Sequence, residues 1–382
     1  MGYIAERTRT KMGSYRPYIL FGSIPLAFSF VLLFWVPPFE GNFLFIFLIM
    51  VNLFHRTCFT IVSVPYSSLT ARITDDSEER TKLTTARMLG ASFGTLTISA
   101  LGFPIINWFG SGEESLGFIY LGVCSGLAAI FILAITVKTV RERNFNLEIT
   151  QLPKFSEVSK SIVNNYAFLI VFASTLTLIT TSIMFNKNLI YYTKYALDLH
   201  EYQGLILGVS SASAFLAIPV WAYSALKIGK RNSWLISMIL LVFSFLFFYL
   251  YPIKNLLELL IILAVLGIGN GATGVLFWSM LPDTIEYGEW KTGVRTESSL
   301  YGFMTFAQKG GIAISALILG VLLTNIGFVP NTIQTEETLE NLKTLMTFIP
   351  LSGVVLSFIL VYFYPIDSKF HKKLIREINE RG

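Results

Sequence analysis

Long apolar runs separated by short polar loops dominate this chain. A bilayer core about 30 Å thick requires roughly 20 apolar residues in each helix that crosses it. Runs of that length predict membrane-spanning helices at residues 17–36, 43–65, 87–107, 117–137, 165–190, 203–225, 233–251, 259–281, 299–323 and 344–364. The pattern therefore predicts an all-α integral membrane protein.

The composition argues against a soluble enzyme. Of the 382 residues, 53% are hydrophobic and only 14% are charged, whereas a soluble domain carries about 25% charged residues. The three histidines are far apart in the sequence, and neither an HExxH motif nor a cysteine cluster indicates zinc. We expect no enzyme activity, no bound metal and no resident cofactor.

The basic residues indicate an orientation in the membrane. The net charge of +5 could suggest nucleic acid, but most of the 29 Lys and Arg residues lie in alternate loops and in both termini. Lys194, Lys254 and Lys343 lie on the other side. The positive-inside rule then places both termini in the cytoplasm of a multi-pass protein of the plasma (inner) membrane, with no nucleic-acid partner.

The longest polar break divides the predicted helices unequally. We expect an N-terminal bundle of four helices (1–138), a central cytoplasmic loop (139–164), a C-terminal bundle of six helices (165–364) and a cytoplasmic tail (365–382). Two-bundle transporters usually have equal halves related by a repeat. ERTRTKMGSYRP before the first run corresponds weakly to LKIGKRNSW before the seventh. This correspondence suggests that two helices are absent from the first half; the alternative is a native ten-helix protein.

Three cytoplasmic motifs resemble a known family. They are GYIAERTRTKMGSYRPYIL from Gly2, PYSSLTARITDDSEERTKL from Pro65, and DTIEYGEWKTGVRTES from Asp283, which FMTFAQKGG follows. These motifs resemble those of the glycoside–pentoside–hexuronide:cation symporters, the melibiose-carrier branch of the major facilitator superfamily. The resemblance implies two six-helix bundles, with ten of the expected twelve helices present in this chain.

The same resemblance implies a function. It implies sugar:cation symport by alternating access, with membrane lipid, a small sugar and a coupling cation (Na⁺ or H⁺) as the partners. The family's first two helices would be absent, so we expect coupled transport by this form to be impaired. A non-transporting remnant or a sugar-sensing membrane protein is the alternative.

Lys309 is the first candidate for the sugar site. It lies in the middle of its apolar run, where a charge costs at least about 2.5–3.5 kcal/mol. Thr305 precedes it by one helical turn on the same face. The resemblance implicates Thr305, Lys309 and Arg87 in sugar binding. A structural salt bridge at Lys309 and a cytoplasmic anchor at Arg87 are the alternatives.

A polar stripe follows the second apolar run. Asn52, Arg56, Thr60, Ser63 and Ser67 are spaced by 4, 4, 3 and 4 residues, so they share one face of a helix. Such a face is expected to line a cavity or the protein interior. The resemblance makes Thr60 and Ser63 cation ligands, and Ser63 and Ser67 sugar contacts. Melibiose carriers have aspartate and tryptophan at the two serine positions, and Arg56 is equally well explained by an interhelical ion pair.

Cytoplasmic charges are the candidates for an inner gate. We expect ion pairs that close the cytoplasmic side, with solvated loop charges as the alternative. One group is Glu6, Arg7, Arg9 and Arg16 with Asp75, Asp76, Glu78, Glu79 and Arg80; the other is Asp283, Glu286, Glu289, Lys291, Arg295 and Glu297.

Two glycine motifs predict close packing of helices. Gly90 and Gly94 form a GxxxG, and GIGNGATG occupies 267–274. Small residues at such spacings let another helix approach closely. Trp278 follows the second motif on the same helix and could stack against a sugar.

Overall fold

A computed structural model describes residues 1–38, 40–74, 76–110, 113–142, 155–330 and 332–381. The regular structure of these residues is helical, which confirms the predicted all-α class. The α-helices are α1 (Gly2–Arg7), α2 (Arg16–Leu32), α3 (Gly41–Ile73), α4 (Ser77–Gly110), α5 (Glu114–Thr139), α6 (Phe155–Asn164), α7 (Tyr166–Tyr195), α8 (Gln203–Ile228), α9 (Lys230–Leu250), α10 (Leu256–Thr292), α11 (Glu297–Asn325), α12 (Glu336–Tyr362) and α13 (Ser368–Arg381).

Each predicted apolar run coincides with one long helix. Among the described residues, eight of these helices, all except α2 and α4, are long and apolar enough to cross a membrane. Many large apolar side chains on them are exposed, Phe43 and Leu317 among the most exposed. Lipid tails would cover such side chains without cost, because they are equally apolar.

Besides the six-residue α1, two further helices lie outside the apolar runs, in stretches predicted to be polar loop and tail. Helix α6 occupies the end of the predicted central loop, and residues 143–154 of that loop lie outside the described residues. Helix α13 occupies most of the C-terminal tail. Both have one apolar and one polar face, which the search for uninterrupted apolar runs does not detect.

Helix α10 extends well beyond its apolar run. Asn255 caps its start by accepting a hydrogen bond from the Glu258 amide, and Gly293 ends it in the left-handed conformation with φ of 70°. The Asn165 side chain caps α7 and also donates to the Thr284 carbonyl at 2.7 Å. The polar end of α10 is thereby fixed against the start of α7.

The chain forms two compact units. The first contains residues 1–76, 90–158 and 296–302, and the second contains 77–89, 159–295 and 303–382. The start of α4 therefore belongs to the second unit, and the start of α11 belongs to the first. A simple division of the sequence at the central loop does not predict these two exchanged segments.

Glycines in α10 allow a close approach of α8 inside the second unit. A Cβ atom at Gly271 would lie 2.5 Å from the Ala214 carbonyl oxygen, and one at Gly267 would overlap the Ser210 carbonyl oxygen. The packing predicted for 267–274 is therefore confirmed. At Gly90 and Gly94 a Cβ would meet no atom of the described residues within 4 Å, so this part of the structure gives no packing role for that pair.

Candidate functional site

A buried polar cluster joins α3 to the start of α11 in the first unit. This first cluster consists of Glu6, Tyr15, Arg72, Glu297 and Ser298. Arg72 forms an ion pair with Glu297, whose side chain is almost fully buried. Tyr15 donates to the same carboxylate at 3.0 Å and accepts from the Ser298 hydroxyl at 2.8 Å. Each polar group thus has a partner, as burial requires.

Glu6 completes the first cluster from α1. Its carboxylate accepts hydrogen bonds from the Ser299 amide (3.2 Å) and hydroxyl (3.4 Å), so it caps the start of α11. Burial and the neighbouring Glu297 carboxylate raise the pKa of Glu6 to about 7. Close packing of α1 explains the burial, because a Cβ at Gly2 would overlap the Ser298 carbonyl oxygen. The first cluster therefore holds two carboxylates against one guanidinium.

A second cluster lies at the polar end of α10 in the second unit. It consists of Arg80, Lys230, Asp283, Glu286 and His371. Arg80 donates to Glu286 Oε1 at 2.5 Å and lies 3.9 Å from Asp283, while Lys230 binds Asp283 at 2.7 Å. His371 Nε2 lies 2.5 Å from Glu286 Oε2. The side chain of Arg80 is fully buried, so its positive charge must be compensated by these carboxylates.

The second cluster resembles a metal site only in part. Asp283, Glu286 and His371 place potential ligand atoms within 4.8 Å of one another. Arg80 and Lys230 already bind the same carboxylates, and their charges oppose a divalent cation at this position. The donor set therefore fits an ion-pair network better than a metal centre.

The two clusters place some gate candidates in unexpected groups. The sequence groups Arg80 with the N-terminal charges and Glu297 with those of α10, whereas the structure places Arg80 beside Glu286 and Glu297 beside Arg72. Tyr15 was not a sequence candidate. Arg72, Lys230 and His371 were also missed, although Tyr15 and Arg72 lie in two of the cytoplasmic motifs quoted above and Lys230 lies in the basic stretch LKIGKRNSW.

Other gate candidates lie outside the two clusters. Arg16 donates to the Val137 carbonyl at 2.9 Å, Arg9 donates to the Glu6 carbonyl at 3.0 Å, and the Arg7 guanidinium lies 4.2 Å from the Tyr3 ring. Glu289 and Arg295 form an ion pair of 2.7 Å. Asp76 is exposed, and Asp75 lies outside the described residues. Except for the Glu289–Arg295 pair, these contacts are with backbone or a ring.

Arg87 and Trp278 form a pair in the second unit. The guanidinium carbon lies 4.4 Å from the centre of the indole ring, within the range of a cation–π interaction. Trp278 is 9% exposed and Arg87 is half-buried. Arg87 lies seven residues, about two helical turns, after Arg80 on α4, and Trp278 lies five residues, about one and a half turns, before Asp283 on α10. The structure thus unites two sequence candidates.

The remaining sugar candidates lie on two helices. Thr305 and Lys309 are half-buried on α11 in the second unit. Ser63 and Ser67 lie on α3 in the first unit, where Ser67 is buried and the Ser63 hydroxyl has no hydrogen-bond partner among the described residues. Donors and acceptors are therefore present on both helices.

The cation candidates belong to the same stripe on α3. The half-buried Thr60 hydroxyl donates to the Arg56 carbonyl at 2.8 Å, so its lone pairs can still accept or coordinate. Asn52 and Arg56 are exposed on the described surface. Exposed side chains can line a cavity that is open to water, so the expectation that the whole stripe lines a cavity or the protein interior stays a prediction.

Known proteins match this chain along almost its whole length. The sequence profile of the family "MFS/sugar transport protein" matches residues 1–368. A "Glucuronide carrier protein homolog" of Escherichia coli (strain K12) is 27% identical over 382 residues, covering 100% of this chain and 83% of the relative. An "Isoprimeverose transporter" of Lactiplantibacillus pentosus is 27% identical over 387 residues, covering 100% and 80%.

Solved structures confirm the predicted fold. A crystal structure of FucP, a major facilitator superfamily transporter in the outward conformation, superposes with a TM-score of 0.70. The match covers 96% of this chain and 86% of FucP at 11% identity. At that identity the similarity concerns the fold alone.

Proposed function

Because the chain belongs to the MFS/sugar transport protein family, matched over residues 1–368, we propose that it is a secondary active transporter that moves a sugar together with a cation. The family match over nearly the whole chain carries this proposal. The sugar would be a glycoside, pentoside or hexuronide, and the membrane would be the plasma membrane with both termini in the cytoplasm.

The sugar would bind near the middle of the membrane. Arg87, Thr305 and Lys309 would supply hydrogen-bond donors and positive charge, and Ser63 and Ser67 would add hydroxyl groups. The Trp278 ring supports the assignment of Arg87, because stacking uses the flat face of a guanidinium while its N–H donors lie in the plane.

Thr60 and Ser63 would provide hydroxyl oxygen ligands for the coupling cation, Na⁺ or H⁺. Their hydroxyl oxygens suit a hard cation. Coupling requires only that the cation binds more tightly when the sugar is present. Sugar affinity then rises by the same factor when the cation is bound. A measured increase in sugar affinity with cation concentration would report this linkage.

The two polar clusters would form the inner gate. Each joins segments from distant parts of the sequence: α3 with the start of α11, and the start of α4 with the end of α10. Removing one partner of a buried ion pair costs about 3–5 kcal/mol. That figure is the cost of leaving a buried charge without its partner, and ion pairs that form in only one of two conformations could bias an equilibrium whose free-energy difference is a few kcal/mol.

Counterflow in proteoliposomes tests the transport step without any cation gradient. Vesicles preloaded with one unlabelled sugar from a panel of glycosides, pentosides and hexuronides receive the same sugar in labelled form. We expect transient accumulation for at least one chemical class, and its size also tests the expectation of impaired transport. Binding of a sugar without counterflow would favour the sensor alternative, and neither signal for any sugar would contradict the proposal.

A further inference from the structure

The C-terminal helix α13 is firmly attached to the polar end of α10. Trp290 Nε1 donates to Glu377 at 2.6 Å, and the Phe370 ring lies 5.8 Å from the Trp290 ring and 6.5 Å from that of Tyr287. The Leu374 side chain of α13 is also buried. These contacts orient the helix, and they deliver one further side chain into the second cluster.

That side chain is His371. It is almost fully buried, with Nε2 at 2.5 Å from Glu286 Oε2 and 3.7 Å from Asp283 Oδ1. Arg80 binds the other oxygen of the same carboxylate, Oε1. The two oxygens of Glu286 are therefore held by different elements, one by α4 and one by α13. A short contact with a carboxylate oxygen requires a hydrogen on Nε2, which protonation of the ring guarantees.

We propose that His371 is a positioning residue of the inner gate: it fixes Glu286 for Arg80, and docking of α13 depends on protonation of its imidazole. The role in the gate rests on the proposed transport function. The docking of α13 does not, so it can be tested without knowing the sugar.

The surroundings of His371 set the direction of the pH response. Burial lowers the pKa of His371, but Asp283 and Glu286 raise it by more, so it lies above its ordinary value near 6.5. Burial also raises the pKa of Tyr364, which therefore stays neutral. The charged and titratable groups packed around the imidazole are Arg80 on α4, Lys230 on α9, Asp283 and Glu286 on α10, and Tyr364 before α13.

The sign follows from proton linkage. The docked state binds the His371 proton more tightly than an undocked α13, whose imidazole would have an ordinary pKa. The contribution of protonation to docking is thus fully present below about pH 6.5 and is lost as the pH rises through the raised value. A rise in cytoplasmic pH would release α13 and leave the Arg80–Glu286 pair without its second support.

Hydrogen exchange of α13 tests the proposal in the intact protein. The 382-residue chain in lipid nanodiscs is labelled between about pH 6 and pH 8.5, and protection factors of 368–381 are corrected for the intrinsic pH dependence. The variants are His371→Gln, which keeps a neutral donor, and His371→Arg, which is always charged. His200→Gln is the matched control, because His200 lies 3.4 Å from Asp198 in an exposed pair.

We expect wild-type protection to fall several-fold across this range, and His200→Gln to behave alike. In His371→Gln the protection of α13 should be low at every pH, and in His371→Arg it should stay high at high pH. A flat wild-type profile, or a His371→Gln profile that still titrates as wild type does, would overturn the proposal. If docking of α13 changes with pH but the rate of counterflow does not, His371 has no role in the gate. Absence of any counterflow would instead count against the transport function.

Discussion

Arg80 and Glu286 lie 206 positions apart in the sequence and form a buried ion pair of 2.5 Å. The pair belongs to the second compact unit although Arg80 is at the start of α4. Burial of a guanidinium is costly unless carboxylates compensate its charge, and Glu286 and Asp283 supply that compensation. The pair thus makes the position of the α4 start depend on the end of α10.

Loss of this pair should weaken the structure locally. We expect Arg80→Gln to lower the free energy of unfolding by about 3–5 kcal/mol, because Glu286 would remain buried without its main partner. Thermal unfolding in detergent measures the change. The control is Arg376→Gln, which removes an exposed pair with Glu380 and should cost no more than about 1 kcal/mol. Equal effects of the two substitutions would contradict the proposed importance of the buried pair.

Glu6 should make stability fall as the pH rises. Its pKa is about 7 in the folded protein, above the ordinary 4.5, so the folded state holds the proton more tightly. Stability is then greatest below about pH 4.5 and decreases until about pH 7, by roughly 1–3 kcal/mol after allowance for solvent screening. Glu6→Gln should remove this contribution and leave the protein more stable than wild type near pH 8.

Stability curves of both proteins against pH provide the measurement. The substitution Glu201→Gln, at an exposed carboxylate, serves as the control and should leave the curve unchanged. If Glu6→Gln showed the same slope as wild type between these pH values, another group would be responsible.

Lys309→Ala should abolish accumulation of sugar driven by a cation gradient. The substitution removes a charge from the middle of α11, where the proposed site needs a donor to the sugar. The control is Lys187→Ala, since Lys187 is also within an apolar run but is exposed near the end of α7. Wild-type accumulation by Lys309→Ala would exclude this lysine from the mechanism.

Trp278 should hold the Arg87 guanidinium in place for the sugar. Trp278→Leu removes the ring face, and we expect weaker sugar binding by about 2- to 30-fold, the equivalent of a cation–π interaction of 0.5–2 kcal/mol. Trp278→Phe should lose less sugar affinity than Trp278→Leu. Equilibrium binding of a sugar identified by counterflow measures both, with Arg231→Lys as the control because Arg231 lies over the exposed Tyr362 ring outside the proposed site. An unchanged affinity in Trp278→Leu would contradict this role.

The sequence predicted the helices well and the tertiary ion pairs poorly. Apolar runs of about 20 residues have one stable solution in a bilayer, so the helices at 43–65 or 259–281 follow from hydropathy alone. Charges near one another in sequence do not reveal their partners. Arg80 follows Asp76 closely but pairs with Glu286, and the start of α11 brings Glu297 to Arg72.

The sugar and gate candidates illustrate the same limit. The pairing of Arg87 with Trp278 depends on the approach of α4 to α10, which no local pattern encodes. His371 lies in a stretch that reads as a polar tail, and only the amphipathic folding of α13 delivers its ring to Glu286. Arg56 is exposed in the described structure, and its place in a polar stripe does not by itself distinguish a cavity-lining role from an interhelical ion pair.

Accumulation of labelled sugar against its concentration gradient is the most direct test of coupled transport. Proteoliposomes containing the 382-residue chain receive an inward Na⁺ gradient, an inward proton gradient, or neither, with the sugar identified by counterflow. We expect one gradient to drive accumulation only slightly above equilibrium, because coupled transport by this form is expected to be impaired, and an ionophore which collapses this gradient should abolish the accumulation. Equilibration to equal concentrations under every gradient would contradict cation-coupled transport.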